Sequence, residues 1–224
     1  MNAALIELIA ANAIFVGLHF LMSRTLRKTM VGIFGEMGFQ AVYSLVSLAN
    51  LVWIYFAFTA APSGDLPGSG EIGWIVATVL IIPSMVLYAG SMAGNPALPT
   101  PAAEEQARAE PRGVFTVTRH PMMWGFGIWA LSHIVLFWSL RTMITAFAMG
   151  FLALVGAWVQ DGKKRAQLGD AWAEWESKTS FWPRWQNLPS AGAVPWTIAL
   201  ILFVFLSWLH QPIGGIPAGI WRWF

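Results

Sequence analysis

Apolar residues run along this chain in six long stretches, separated by shorter polar connections. The stretches lie near 2–22, 38–61, 72–92, 121–140, 142–160 and 194–211. A bilayer-spanning helix needs about 20 predominantly apolar residues, and the stretches have that length. The pattern predicts an all-α fold: a polytopic transmembrane helical bundle of about six spanning helices, forming a single domain over residues 1–224. The first stretch lacks a basic leader and a small-residue cleavage site, so a retained helix is expected rather than a signal peptide. After the fifth stretch, Leu168, Trp172 and Trp175 recur at i, i+4 and i+7, with Asp170, Glu174 and Glu176 around the rest of the turn. That periodicity suits a cytoplasmic interfacial helix lying in the membrane plane, or an aromatic belt that anchors helix ends.

Composition supports the membrane assignment. Only 11% of residues are charged, 57% are hydrophobic and the mean hydropathy is +0.59, whereas a soluble domain carries about 25% charged residues. Cysteine is absent, which excludes disulfides, thiolate metal ligands, haem attached covalently through CxxCH and cysteine nucleophiles. The net charge of +2 would hint at nucleic acid in a soluble protein. Here no nucleic-acid partner is expected, because the basic residues cluster in loops beside membrane spans.

Eleven of the thirteen Lys and Arg residues fall in three connections. Arg24, Arg27 and Lys28 follow the first stretch, Arg108, Arg112 and Arg119 precede the fourth, and Lys163, Lys164, Arg165, Lys178 and Arg184 follow the fifth. Only Arg141 and Arg222 lie on the other side. The positive-inside rule therefore places these loops in the cytoplasm and both termini outside, as expected for a multi-pass protein of a bacterial inner membrane. Membrane lipid is the expected surrounding partner, with an apolar small molecule as candidate substrate; nothing in the sequence speaks to the oligomer.

Ionisable residues at membrane depth are costly and become functional candidates by default. The second stretch carries a softer signal, with Gln40, Tyr43, Ser44, Ser47 and Asn50 at helical spacing. That stripe is either a pocket wall or an interhelical hydrogen-bonding face. The sharper signal is the histidines: His19 near the end of the first stretch, His120 at the entrance to the fourth, His133 deeper in it and His210 late in the sixth. Zinc is not favoured, because there is no HExxH and no cluster of three or four ligands. Haem needs only one or two axial side chains and basic partners for its propionates. His19 and His133 are candidate axial ligands, with Arg24, Arg119 and Lys28 on the side where propionates would emerge. Depth raises an alternative: at 1.5 Å per residue His133 lies roughly 18–20 Å along its helix from His120, and His19 only about 6–8 Å from Arg24. By depth His19 pairs with His120, and His133 with His210. Thirteen residues at 100° each also put His120 and His133 about 140° apart around one helix, so they are not expected to meet the same metal.

The motifs GLHFLMSR, YSLVSLAN, TRHPMMWGFGIWALSH and WVQDGKKRAQLGDAW occur in that order and resemble the NnrU family of bacterial membrane proteins, a family related to the plastid 15-cis-zeta-carotene isomerase. The resemblance runs from about residue 5 to residue 185. It implies a non-covalent haem b with two membrane-buried histidine ligands, carried by motif onto His19 and His133; Arg24, Arg119 and His120, at the cytoplasmic mouth, are expected to meet the cofactor's polar end. It also implies a redox-gated cis-trans isomerase of a carotenoid-like polyene, or a role in the nitrite and nitric oxide metabolism of denitrifying bacteria. The isomerase has a cysteine three residues before its second ligand; Ala130 stands there in this chain, so a thiolate switch is ruled out. Arg119-His120-Pro121, Gly125 and the later Leu-Gly-Asp-Ala-Trp also resemble membrane methyltransferases acting on isoprenylcysteine and phospholipids. Those use S-adenosylmethionine and a later acidic pair, where this chain has Gln160-Asp161-Gly162-Lys163 with one carboxylate. A haem-based sensor without turnover is the non-enzymatic alternative. Whether Asp161 pairs with Arg119 is left open by sequence.

Overall fold

The computed structural model describes residues 2–224, and among them every regular element is helical. Helix α1 spans Ala3–Phe20, capped by the Asn2 side chain, which accepts from the Ala4 N–H, and it runs on into a π-helical turn at Leu21–Thr25. Helices α2 (Arg27–Ala60) and α3 (Gly70–Gly90) follow. The short α4 (Ala103–Arg108) precedes α5 (Pro121–Ile134), in which Pro121 occupies the first turn, where its missing N–H costs nothing. Then come α6 (Leu140–Leu168), α7 (Asp170–Lys178) and α8 (Ala193–Gly214).

Five helices are long and apolar enough to cross a membrane: α1 with its π turn, α2, α3, α6 and α8. The fourth apolar stretch is the exception. Its helix ends at Ile134 after 14 residues, about 21 Å of rise and short of a full span. The remainder continues as non-helical chain whose carbonyls are satisfied from elsewhere: Leu66 N–H donates to Trp138 O, Gly68 N–H to Phe137 O and Ser69 N–H to Leu136 O. Phe137 sits at φ 46°, and the Ser139 side chain then caps α6. Val135, Leu136, Phe137 and Trp138 are as apolar as the helix before them, so periodicity extends the stretch to residue 140 and the true end depends on tertiary hydrogen bonds.

The chain therefore still passes six times between the two ends of the bundle. The connection 61–69, the turn 135–139 and both termini share one end: Glu7 accepts from Trp53 Nε1 near the end of α2, and Arg222 pairs with Glu71 at the start of α3. The basic loops occupy the other. Packed neighbours follow the order α8, α3, α5, α6, α1, α2. Large apolar side chains are open on the outward faces, among them Ile72 at 77%, Phe147 at 67% and Ile201 at 62%. In water such a belt is a liability; around five spanning helices it faces lipid, and the protein is an integral membrane protein.

The interfacial helix forms where its periodicity places it, as α7, but its apolar face is not turned to lipid. Trp172 and Trp175 are 0% and 2% exposed and pack into a core with Val86, Leu87, Val114 and Phe115. The Phe115 and Trp175 rings meet edge-on at 5.6 Å. Helix α4 and the Gly113–Thr116 turn cover the face that sequence assigns to the interface.

Helix α2 is broken at Gly35, which adopts φ 71° and ψ 174°, a region essentially restricted to glycine. The break turns residues 27–34 away from the spanning part. Gly35→Ala is expected to cost about 1–3 kcal/mol through backbone strain alone, read as a lower thermal midpoint in detergent. Gly32→Ala, where a methyl group meets nothing within 4 Å, is expected to be neutral or slightly stabilising.

Candidate functional site

The four histidines separate into three environments. At the basic end, His120 is 2% exposed and its Nε2–H donates to Asp161 Oδ1 at 2.7 Å. A carboxylate only accepts, so the proton is on Nε2. Arg119 donates to the same carboxylate through Nε, at 3.1 Å to each oxygen, and through a terminal nitrogen at 2.6 Å to Oδ2. Glu176 of α7 lies 3.4 Å from Arg119 and is bridged in turn by Arg165 at 2.6 Å. Backbone contacts fix the motif: Arg119 N–H donates to Ser180 O, Thr118 Oγ1 to Phe181 O and Trp124 Nε1 to Phe181 O. The Arg-His-Pro sequence thus ties α5 to α6 and to the segment after α7. Three buried polar atoms here have no protein partner: His120 Nδ1, Trp172 Nε1 and Trp175 Nε1.

The same end is closed by Lys164, which is 5% exposed and donates through Nζ to Pro96 O at 3.0 Å and Leu98 O at 3.3 Å, while Gln160 donates to Ala97 O. The Pro-rich piece is thereby strapped to α6. In the sequence Lys164 is indistinguishable from the solvated basic residues beside it; only the packing of α6 against the Pro-rich piece buries it. Beyond the spans, the hydrogen bond between Lys178 and Glu174 raises the lysine's pKa and lowers the carboxylate's. Arg24 and Lys28 stand exposed at this end.

His19 lies elsewhere. Its Nδ1–H donates to Phe15 O at 2.8 Å, and its ring meets Phe15 at 4.2 Å and Tyr43 at 5.2 Å. Tyr43, Ser47 and Asn50 from the polar stripe of α2 line the cleft around it with Met22; Gln40 and Ser44 point outward. The cleft is closed by its lining and has no room for a water molecule, far below the roughly 300–1,000 Å³ of ordinary ligand pockets.

His133 faces α8. Its Nδ1–H donates to Trp129 O at 2.9 Å, Ser132 Oγ lies 3.1 Å away, and its ring centre is 6.3 Å from that of His210 with the planes 32° apart. His210 Nδ1–H donates to Leu206 O at 2.7 Å. The outer face of α8 and Trp221 form a wholly apolar groove lined by Leu200, Ile201, Val204, Phe205, Trp208 and Trp221.

As single donors His19 and His133 both suit a haem iron. Each has its Nδ1–H committed to a backbone carbonyl, which leaves Nε2 as the free lone pair, the usual arrangement of a metal-ligating imidazole. They stand on α1 and α5, which both pack on α6 without forming a packed pair of their own. Among the described residues no group of three His, Cys, Asp or Glu residues can hold a metal ion.

These features define a class: an integral helical membrane protein with helix-borne imidazoles in its spans and a buried Arg-His-Asp knot at its basic end. More specifically, the chain belongs to the NnrU protein family, whose model matches residues 7–218. It is similar to the chloroplastic 15-cis-zeta-carotene isomerase of Zea mays, at 33% identity over 73 residues; that match covers 32% of this chain and 19% of the relative's length. No solved structure matches the chain significantly.

Proposed function

We propose that this NnrU-family protein binds haem b non-covalently, with His133 as an iron ligand, and acts on an apolar polyene of the carotenoid class by cis-trans isomerisation. The observation that supports haem is the state of the His133 ring, half-buried among aromatic side chains with Nδ1–H tied to Trp129 O and Nε2 left as a donor. Bound haem would supply a redox-switchable Lewis acid beside the substrate. The protein's own part is to exclude water, to hold the imidazole in one tautomer, and to admit an apolar substrate from lipid along the outer groove of α8. The resemblance to a carotene isomerase supports the substrate class. By the positive-inside rule the basic end faces the cytoplasm of a bacterial inner membrane.

The methyltransferase reading draws less support. Arg119, His120 and Asp161, the side chains it would direct at S-adenosylmethionine, are spent on one another.

The test is an absorption spectrum of detergent-purified protein, oxidised and dithionite-reduced, with haem added. A Soret band with sharp reduced α and β bands is expected, and His133→Ala is expected to lose haem. Conversion of a cis polyene by the haem-loaded protein then supports the enzyme; nitric oxide binding without conversion supports a sensor. No Soret band after reconstitution would sink the haem reading and make S-adenosylmethionine binding the next assay.

A further inference from the structure

The basic end of the bundle treats its charges differently on its two sides. Beside α7 the cations are neutralised: Arg108 meets Glu104 and Glu174, Arg119 meets Asp161, Arg165 meets Glu176, and Lys178 meets Glu110 and Glu174. Beside the start of α2 they are not. Arg24, Arg27 and Lys28 come from the π turn and the first turn of α2, and Lys163 and Lys164 from the last turns of α6. Lys163 lies near enough to Arg27 and Glu36 to feel both charges, and Lys164 near enough to feel Lys163 and Arg27. The carboxylate that meets this group is Glu36, paired with Arg27 at 2.5 Å. Lys164 is held by the Pro96 and Leu98 carbonyls, which are neutral. Among the described residues Arg24, Lys28 and Lys163 have no ion-pair partner. Positive charge is left over here.

The same segment carries an apolar stripe. Leu26, Met30, Ile33 and Phe34 recur at i, i+4, i+7 and i+8, within about 100° of arc around a helix. Ile33 is 68% and Phe34 54% exposed. Lys28 lies about 170° around from the centre of the stripe. An apolar stripe opposite a cationic face is the pattern of a helix lying in the membrane interface.

Depth agrees with that placement. Residues 36–60, the part of α2 beyond the Gly35 break, rise about 37 Å, more than a hydrocarbon core of about 30 Å. The break therefore falls at headgroup level, and residues 27–34 run along the interface instead of across it.

We propose that the turned segment 27–34 and the end of α6 form a docking site for anionic phospholipid of the cytoplasmic leaflet. Leu26, Ile33 and Phe34 enter the acyl boundary, while Arg24, Lys28 and Lys163 draw in the negative headgroups. A zwitterionic headgroup brings its own cation and leaves the surplus charge uncompensated. Free phosphate would meet the charge but leave Ile33 and Phe34 in water. An anionic lipid satisfies both faces. The site is independent of the haem and isomerase readings.

The experiment presents full-length protein in neutral detergent with equal amounts of phosphatidylglycerol and phosphatidylcholine carrying the same acyl chains. Native mass spectrometry counts the retained lipid. Wild type is expected to retain phosphatidylglycerol in preference. Lys28→Gln and Lys163→Gln are each expected to weaken that preference about fivefold, the effect of one basic residue at an anionic surface. Arg184→Gln removes an exposed cation whose backbone N–H is tied to Val117 O, away from the stripe, and is expected to change nothing. The chain has no cysteine, so a nitroxide on Phe34→Cys is a unique reporter of depth. In bilayers of equal parts of the two lipids it is expected to be reached by oxygen and not by a water-soluble nickel chelate.

Equal retention of the two lipids would overturn the site, as would a loss in Arg184→Gln as large as in Lys163→Gln. Displacement of the lipid by inorganic phosphate would assign the charges to a soluble anion instead. A label at residue 34 open to the chelate, or shielded from both reagents by a second copy or another protein, would equally overturn the lipid reading. Lys28 is exposed, so Lys28→Gln keeps the test decisive even if Lys163→Gln disturbs the fold.

Discussion

Asp161→Ala is expected to be the most damaging single substitution at the basic end, lowering stability by about 3–5 kcal/mol, the range for breaking a buried ion pair from one side. The size follows from what is left behind. Arg119 has a side chain only 12% exposed and His120 one at 0%; both send their donors to the one carboxylate. Removing it leaves the His120 imidazole N–H buried without a partner and the Arg119 guanidinium with only Glu176, 3.4 Å away. Arg119→Ala is expected to cost less, because Asp161 keeps His120 as a partner and Glu176 keeps Arg165. Denaturation of purified protein by a graded detergent series would order the variants. Equal losses for Asp161→Ala and Arg119→Ala would show that the carboxylate is not the centre of the knot.

Gly125→Val is expected to block the packing of α5 on α3. Even a Cβ at residue 125 would lie 2.9 Å from the Ser84 carbonyl oxygen and 3.3 Å from the Tyr88 nitrogen. These are backbone atoms and cannot step aside by rotamer change. The Ser84 hydroxyl also donates to Gly125 O at 2.7 Å, a close approach that a small residue at a membrane-helix interface permits. Overpacking typically costs about 1–3 kcal/mol. A clash against backbone, with loss of the Ser84 hydrogen bond, puts valine at or above the top of that range and alanine near the middle. The measurement is the yield of monodisperse protein and its thermal midpoint; an unchanged midpoint for valine would mean that α3 and α5 separate at little cost. Gly156→Ala, with nothing within 4 Å of the added carbon, is the matched control.

Much of the molecule is legible in its apolar runs. Five of the six stretches become helices long enough to span, and the basic loops gather at one end of the bundle. The covered face of α7 was not legible. Trp172 and Trp175 have the same spacing whether they meet lipid or protein, and only the strapping of the Pro-rich piece by Gln160 and Lys164 and the folding of α4 over the face distinguish the two. The histidines divide in the same way. Helical geometry alone separates His120 from His133 by about 140° around α5, and the structure turns the one to Asp161 and the other to His210. The depth count, made from rise per residue, places His133 level with His210, and their ring centres lie 6.3 Å apart; the motif pattern pairs His19 with His133, on helices that both pack on α6.

Hydrophobic periodicity and charge placement are properties of neighbours along the chain, so the sequence by itself determined the membrane class, the five long spanning helices and the basic end. Which polar groups meet across helices was decided only by tertiary structure. A lone carboxylate at 161 reads as a departure from a two-carboxylate motif until α5 and α6 pack and it receives Arg119 and His120. The approach of the His133 ring to that of His210 likewise depends on α3 packing against both α5 and α8. A buried polar group takes the partner that folding brings within about 3 Å, and that distance is set by packing between segments far apart in the chain.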